Sequence, residues 1–98
     1  MTTYDFAAEL WVHPAGSWHF LTLPFEVSDT IEEVATGATR GFGSVRVRVT
    51  IGSSTWDTSL FPDTKAESFV LPIKKAVRVK EALSVGEPVA VSLELVDV

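Results

Sequence analysis

The stretch SFVLPIKKAVRVKEALSVGEPVAVSLEL, residues 68–95, decides the fold of this chain. It begins as an apolar, β-prone run that ends at Pro72, a residue with no N–H to donate to a strand ladder. Apolar residues then recur at helical spacing, which predicts a basic amphipathic helix over residues 73–83. The apolar stripe of this helix is predicted to comprise Ile73, Ala76, Val77 and Leu83. Gly86 marks a turn, and the alternation after it predicts a strand over residues 89–96.

A diverged copy of this pattern lies about half a chain earlier. With a shift of 48 residues, Pro24 falls on Pro72 and Pro14 falls on Pro62. The strand predicted at residues 44–51 aligns with the last strand of the chain at a shift of 44. The sequence therefore predicts a single domain with an internal repeat. The domain is expected over residues 1–98, with the repeats at 4–51 and 55–96.

Each repeat is predicted to run strand, strand, helix, strand. The first has strands expected at residues 4–12, 17–23 and 44–51 and an acidic helix at 25–38, and the second has strands expected at 55–61, 66–71 and 89–96. One repeat alone leaves open sheet edges and too small a core, and two repeats remove the edges by closing on each other. The predicted fold class is mainly β: a closed or double-split β-barrel of about six strands with pseudo-twofold symmetry and two short helices.

Composition and charge exclude several classes of protein. The 98 residues contain no cysteine, so disulfides and thiolate metal sites are excluded. The net charge of −5 argues against general binding to nucleic acid or anionic lipid. The amino-terminal segment lacks the pattern of a signal peptide, and no apolar run is long enough to span a membrane, so a cytoplasmic protein is expected. A monomer is expected, because a barrel of two fused repeats needs no partner to close. No cofactor is expected.

The basic helix is the first candidate binding feature. Lys74, Lys75 and Arg78 lie close together on it. They form either a solvated helix face or a docking site for a small anion or a protein partner. Binding to duplex DNA would need two positive arms, but the equivalent helix of the first repeat is acidic. Nucleic acid is therefore the less favoured partner.

The segment around Trp56 is the second candidate. Asp57, Thr58 and Ser59 lie between two aromatic residues there, so they can line a pocket at the barrel mouth in which Trp56 stacks on a ligand and the polar groups hold it in place. The alternative interpretation is a strand entering a turn, with Trp56 and Phe61 in the core. The second interpretation is favoured.

Catalysis has little support in the sequence. Two histidines without a carboxylate at ligand spacing make a weak metal site. Ser59, His19 and Asp57 supply the residue types of a hydrolytic triad, but no glycine-framed nucleophile turn surrounds Ser59. The chain is therefore not expected to be an enzyme, and a hydrolase is a distant third hypothesis.

Two resemblances extend this interpretation. Residues 68–95 are similar in layout to the swapped-hairpin domains of bacterial transition-state regulators and addiction-module antitoxins. The whole chain resembles the bacterial and archaeal domain-of-unknown-function family nineteen-oh-five. The matching segments are WHF at 18–20 with LP at 23–24, residues 45–52, WDTSLFP at 56–62 and LPIKKAVR at 71–78. This resemblance implies a double-split β-barrel, equivalent to a regulator dimer fused into one chain, and implies no activity.

The sequence supports two functional hypotheses, one of them more strongly than the other. A non-catalytic module that binds a ligand or a protein comes first, with Trp56, Asp57 and Ser59 and the three basic helix residues as its site. A nucleic-acid-binding regulator related to swapped-hairpin proteins is the alternative.

Overall fold

The computed structural model describes residues 3–35 and 43–96. In this part of the chain, the order strand, strand, helix, strand occurs twice. The strands are β1 (Thr3–Val12), β2 (His19–Thr22), β3 (Val45–Ile51), β4 (Ser54–Asp63), β5 (Ser68–Pro72) and β6 (Pro88–Leu95), and the helices are α1 (Phe25–Ala35) and α2 (Lys75–Lys80). The predicted end of the first helix at residue 38, and most of the glycine-rich loop after it, fall outside the described residues.

Antiparallel pairing closes the strands into a barrel. Their order around it is β1-β2-β5-β4-β3-β6, and β6 pairs with β1. Each of these strands is hydrogen-bonded on both sides, so closure removes the open edges that a single repeat would leave. The predicted fold class is confirmed: the protein is mainly β, a closed six-stranded barrel with two short helices.

The strand register places equivalent residues of the two halves opposite each other. Thr22 in β2 pairs with Val70 in β5, 48 residues later. Val49 in β3 pairs with Leu93 in β6, 44 residues later. These are the two shifts at which the halves of the sequence align. A residue that pairs with its own counterpart lies on the axis of a twofold relation, so the register is the one expected of a barrel built from two repeats.

The first strands of the two halves correspond at a different shift. Phe6 pairs with Val91. The equivalent of Val91 at the 44-residue shift is Val47, which pairs with Thr58. Phe6 therefore corresponds to Thr58, so β1 and β4 match at a shift of 52 rather than the predicted 48.

Two prolines show where the predicted alignment fails. Pro14 lies in the connection from β1 to β2, whereas Pro62 lies inside β4 opposite Phe69. The predicted match of Pro14 with Pro62 is wrong, and so is the turn predicted to start at Pro62. Beyond Leu60, β4 pairs with β5 only, so the missing N–H of Pro62 breaks no ladder bond on the other side.

The barrel interior is lined by alternate residues of the strands. β3 is the clearest case, with Val45, Val47, Val49 and Ile51 buried and the two arginines between them exposed. Each helix adds a buried side chain to the same core, Ile31 from α1 and Val77 from α2. Neither helix of the described residues is long and apolar enough to cross a membrane.

Two residues predicted above to lie in the interior, Ala76 and Phe61, are exposed, and Val12 of β1 is exposed as well. Ala76 in α2 is exposed, because the neighbouring Val77 takes the position that faces the barrel and is the one buried residue of this helix. Phe61 is 46% exposed, because Leu60 takes the inward position and strand alternation turns Phe61 outward. Val12 is 39% exposed at the end of β1.

Both helices are fixed by side-chain hydrogen bonds to neighbouring strands or turns. In α1, Ser28 Oγ accepts from the Phe69 N–H at 2.9 Å and donates to Ser68 Oγ at 2.6 Å, and Ser68 in turn donates to the Leu23 carbonyl. Ser28 is 3% exposed, so this chain of bonds satisfies polar groups that water cannot reach.

The residue that follows α2 anchors it to the β3–β4 hairpin. Glu81 accepts hydrogen bonds from the hydroxyls of Ser54 at 2.7 Å and Ser53 at 3.1 Å. These bonds, the Ser54 bond first, hold the pKa of the Glu81 carboxyl below its ordinary value. Gly52 completes the tight turn with φ of 58°, a left-handed conformation that suits glycine.

Candidate functional site

A concave site lies where α2, the start of β4 and the end of the β1–β2 connection meet. Its volume is about 380 Å³, within the range of small-ligand sites. Five of the six residues predicted from sequence line it: Trp56, Asp57, Lys74, Lys75 and Arg78. We call these five residues, together with Trp18 and His19, the cationic pocket.

Strand pairing brings the basic helix to this position. β2 pairs with β5, with Phe20 opposite Pro72, and the Ile73 N–H donates to the His19 carbonyl at 2.9 Å. The chain then leaves the sheet and enters α2, so Lys74, Lys75 and Arg78 lie beside the start of β2.

Arg78 is held by two hydrogen bonds. Its Nε donates to the Ile73 carbonyl at 3.3 Å, and its Nη1 donates to His19 Nε2 at 3.2 Å. His19 Nδ1 lies 2.7 Å from the Ser17 carbonyl oxygen, which can only accept, so Nδ1 carries the ring proton and Nε2 is the acceptor. The guanidinium is therefore fixed in direction, and its remaining N–H groups have no partner among the described residues.

Lys74 and Trp56 form the second part of the pocket. Lys74 Nζ lies 5.8 Å from the centroid of the Trp56 ring, a cation–π distance. Trp56 is half-buried and packs against the barrel core, yet it also lines the pocket. Each of the two interpretations from sequence therefore describes part of the surroundings of Trp56. One describes its contact with the core, and the other describes its place in the pocket.

Asp57, the carboxylate at the pocket, is paired with Arg48. Arg48 Nε donates to Oδ1 at 2.8 Å and Nη2 donates to Oδ2 at 3.2 Å. This hydrogen bond lowers the pKa of Asp57 and raises the pKa of Arg48. Both side chains are well exposed, so the pair adds little stability. Arg48, whose Nη1 also lies 3.7 Å from Glu94 Oε1, offsets part of the Asp57 charge beside the three cations of the pocket.

Ser59 lies outside the pocket. It accepts a hydrogen bond from Arg46 Nη1 at 3.3 Å on the outer side of the barrel. Both ring nitrogens of His19 are engaged by Ser17 and Arg78, so His19 has none left to activate Ser59. The three residues of the hypothetical triad therefore bond to different partners. Ser59 bonds to Arg46, His19 bonds to Ser17 and Arg78, and Asp57 bonds to Arg48. The described residues contain no group of three or more side chains that could hold a metal ion.

A second concavity adjoins the cationic pocket. It measures about 470 Å³ and shares Trp18 and Pro72 with the first. We call it the outer groove; its main side chains are Trp18, Phe20, Phe61, Val70 and Pro72. Trp18 is 67% exposed and stacks on Phe20 with ring centroids 6.2 Å apart.

Two residues of the pocket, Trp18 and His19, are not among the site residues predicted from sequence. His19 was weighed only as a metal ligand or a triad base, and Trp18 only as a strand residue. Nothing in local periodicity joins them to Arg78, which lies 59 residues from His19. Only the prediction that β2 neighbours β5 would have placed them together.

The chain was compared with known proteins. Its residues 6–93 match the family described as domain of unknown function (DUF1905). No curated protein matches it significantly. Because the match spans most of the sequence, the chain belongs to the DUF1905 family, as the resemblance in sequence predicts.

Proposed function

We propose that this domain is a non-catalytic binding module that holds the anionic group of a small ligand in the cationic pocket. The observation that supports this best is a local excess of positive charge. Lys74, Lys75 and Arg78 line one concave site, and none of them forms an ion pair with another described residue. In a chain with net charge −5, such a cluster is the natural place for an anion.

Each cation has a distinct role in this proposal. Arg78, oriented by His19 and the Ile73 carbonyl, presents fixed donors suited to a carboxylate or phosphate. Lys75 is exposed and supplies a mobile charge. Lys74 stays close to Trp56, whose ring face can contact the body of the ligand.

Titration with benzoate tests the proposal, because benzoate combines a carboxylate with a ring. Amide chemical shifts of the ¹⁵N-labelled protein should change around Lys74, Lys75 and Trp56. Lys75→Gln should weaken binding about three- to tenfold, the usual net value of one hydrogen bond. The matched control is Lys80→Gln, since Lys80 is a basic residue of the same helix outside the pocket.

Two results would contradict the proposal. One is shift changes spread over the surface without a focus at the pocket. The other is an equal effect of Lys75→Gln and Lys80→Gln, which would mean that benzoate senses only the general charge of α2.

The alternative, a nucleic-acid-binding regulator, predicts a different outcome. The two helices carry opposite charge, with Glu26, Asp29 and Glu33 on α1 against Lys75, Arg78 and Lys80 on α2, so one arm of a twofold reader would repel phosphate. A gel shift with random duplex at low salt separates the two. Retention of the duplex that Lys75→Gln weakens would favour the regulator.

A further inference from the structure

We infer that the cationic pocket and the outer groove form one site for an amphipathic carboxylate, a small molecule in which an apolar body is joined to a carboxylate. This inference rests on the proposed function and adds the class of ligand. The carboxylate lies against Lys75 and Arg78, and the body lies across Trp18 into the groove.

Continuity of the two concavities is the first support. Trp18 and Pro72 line both of them, so the charged part and the apolar part meet at these two side chains. Together they span the outer side of β2, β5 and β4. A single ligand can therefore contact both without a change in the backbone.

The chemistry of the groove is the second support. On the outside of a barrel, where polar side chains are expected, neighbouring strands here present Phe20, Val70, Pro72 and Phe61. Trp18 and Phe61 are 67% and 46% exposed. Phe20 and Pro72 are half-buried and Val70 is buried, so they form the apolar floor of the groove. Adjoining apolar side chains of this kind mark a binding site more often than scattered ones.

Charge complementarity identifies the occupant. A purely apolar ligand would leave the cations at the end of the groove unused, and a bare anion would leave the aromatic surface in water. A carboxylate on an apolar body satisfies both parts, because its head pairs with the cations while its body removes apolar surface from water.

Isothermal titration calorimetry with four probes tests this. Decanoate carries an aliphatic body and naphthalene-2-acetate an aromatic one, so the pair shows which kind of apolar body the groove prefers. Acetate supplies the head alone and decanol the body alone. We expect the wild-type protein to bind at least one of the two acids about a hundredfold more tightly than acetate. The Lys75→Gln variant should bind that acid about tenfold more weakly than the wild type does.

Variants of the groove locate the body. Phe61→Ala should weaken binding of the better acid about tenfold without affecting the weak binding of benzoate. Phe25→Ala is the matched control, since Phe25 is a 59% exposed phenylalanine outside the groove. If Phe61→Ala lowers the melting temperature, Trp18→Ala provides a second test at a more exposed position.

The outcomes separate the inference from the proposed function. Benzoate and acetate binding at Lys75, with no gain from a longer body, would overturn the inference and leave the proposed function standing. Equal binding of decanol and decanoate would overturn it also, because the cations would then be unused. Self-association lost in Phe61→Ala, with no binding of either acid, would assign the groove to a second copy of the chain and overturn it as well.

Discussion

Arg78 on α2 donates a hydrogen bond to His19 Nε2 at 3.2 Å, although 59 residues separate the two in the chain. The bond joins the basic helix of the second half to the start of β2 in the first half. It also fixes the direction of the guanidinium that the cationic pocket presents. A double-mutant cycle with His19→Ala and Arg78→Met should give a coupling free energy of about 0.5–1.5 kcal/mol, the usual net value of one hydrogen bond.

Benzoate affinity provides the matching functional measurement. His19→Ala keeps every cation of the pocket but releases Arg78, so we expect binding to weaken with little loss of stability. Unchanged affinity together with zero coupling would mean that Arg78 is oriented by the Ile73 carbonyl alone.

Substitution of glycines in turns should show the close approach of α2 to the β3–β4 hairpin. Gly52 has φ of 58°, and an added Cβ there would collide with the carboxylate of Glu81. A left-handed alanine costs about 1–2 kcal/mol. Gly52→Ala should therefore lower the free energy of unfolding by more than this amount. Chemical denaturation gives the free energies of unfolding.

Two other glycines are internal controls for that series. Gly86 has φ of 89° with open space around it, so Gly86→Ala should show the backbone cost alone. Gly16 has neither constraint, and Gly16→Ala should be nearly neutral. Equal losses at Gly52 and Gly86 would contradict a steric role for Glu81.

The Glu81 contact should make stability depend on pH. Hydrogen bonds from Ser54 and Ser53 lower the pKa of Glu81 in the folded state below its value in the unfolded chain. Its contribution is therefore complete above the unfolded pKa, about 4.3 for a glutamate, and is lost as the pH falls through the lower folded pKa. The difference in unfolding free energy between the wild type and Glu81→Gln should shrink on acidification. A difference that grows in acid would contradict this assignment.

Removal of the Ser28 hydroxyl should be costly for a single oxygen atom. Ser28→Ala leaves the Phe69 N–H without its acceptor in a buried position, so we expect a loss of about 1–3 kcal/mol in unfolding free energy. Ser84→Ala is the control, because Ser84 is exposed and uses only its backbone carbonyl in the turn. A change of the same size at both positions would show that the loss comes from serine chemistry in general rather than from the buried bond.

Local patterns were sufficient for most of the elements. The alternation of Val45, Val47 and Val49 placed β3 to within one residue, and the closed barrel follows from the need to cover the edges of two half-barrels. Helix length was less predictable. The apolar spacing extends to Leu83, but α2 ends at Lys80, and Ala82 after it adopts a positive φ of 53°.

By itself, the sequence determined the faces of β3 and β6, the order of elements, the opposite charge of the two helices and five residues of the candidate site. These depend on period and side-chain chemistry, which neighbouring residues express directly. The tertiary structure alone decided the pairing of β2 with β5 and the 52-residue shift of the first strands. Pairing depends on contacts between distant segments, so only the closed barrel brings His19 to Arg78 and places Phe61 in the same groove as Trp18.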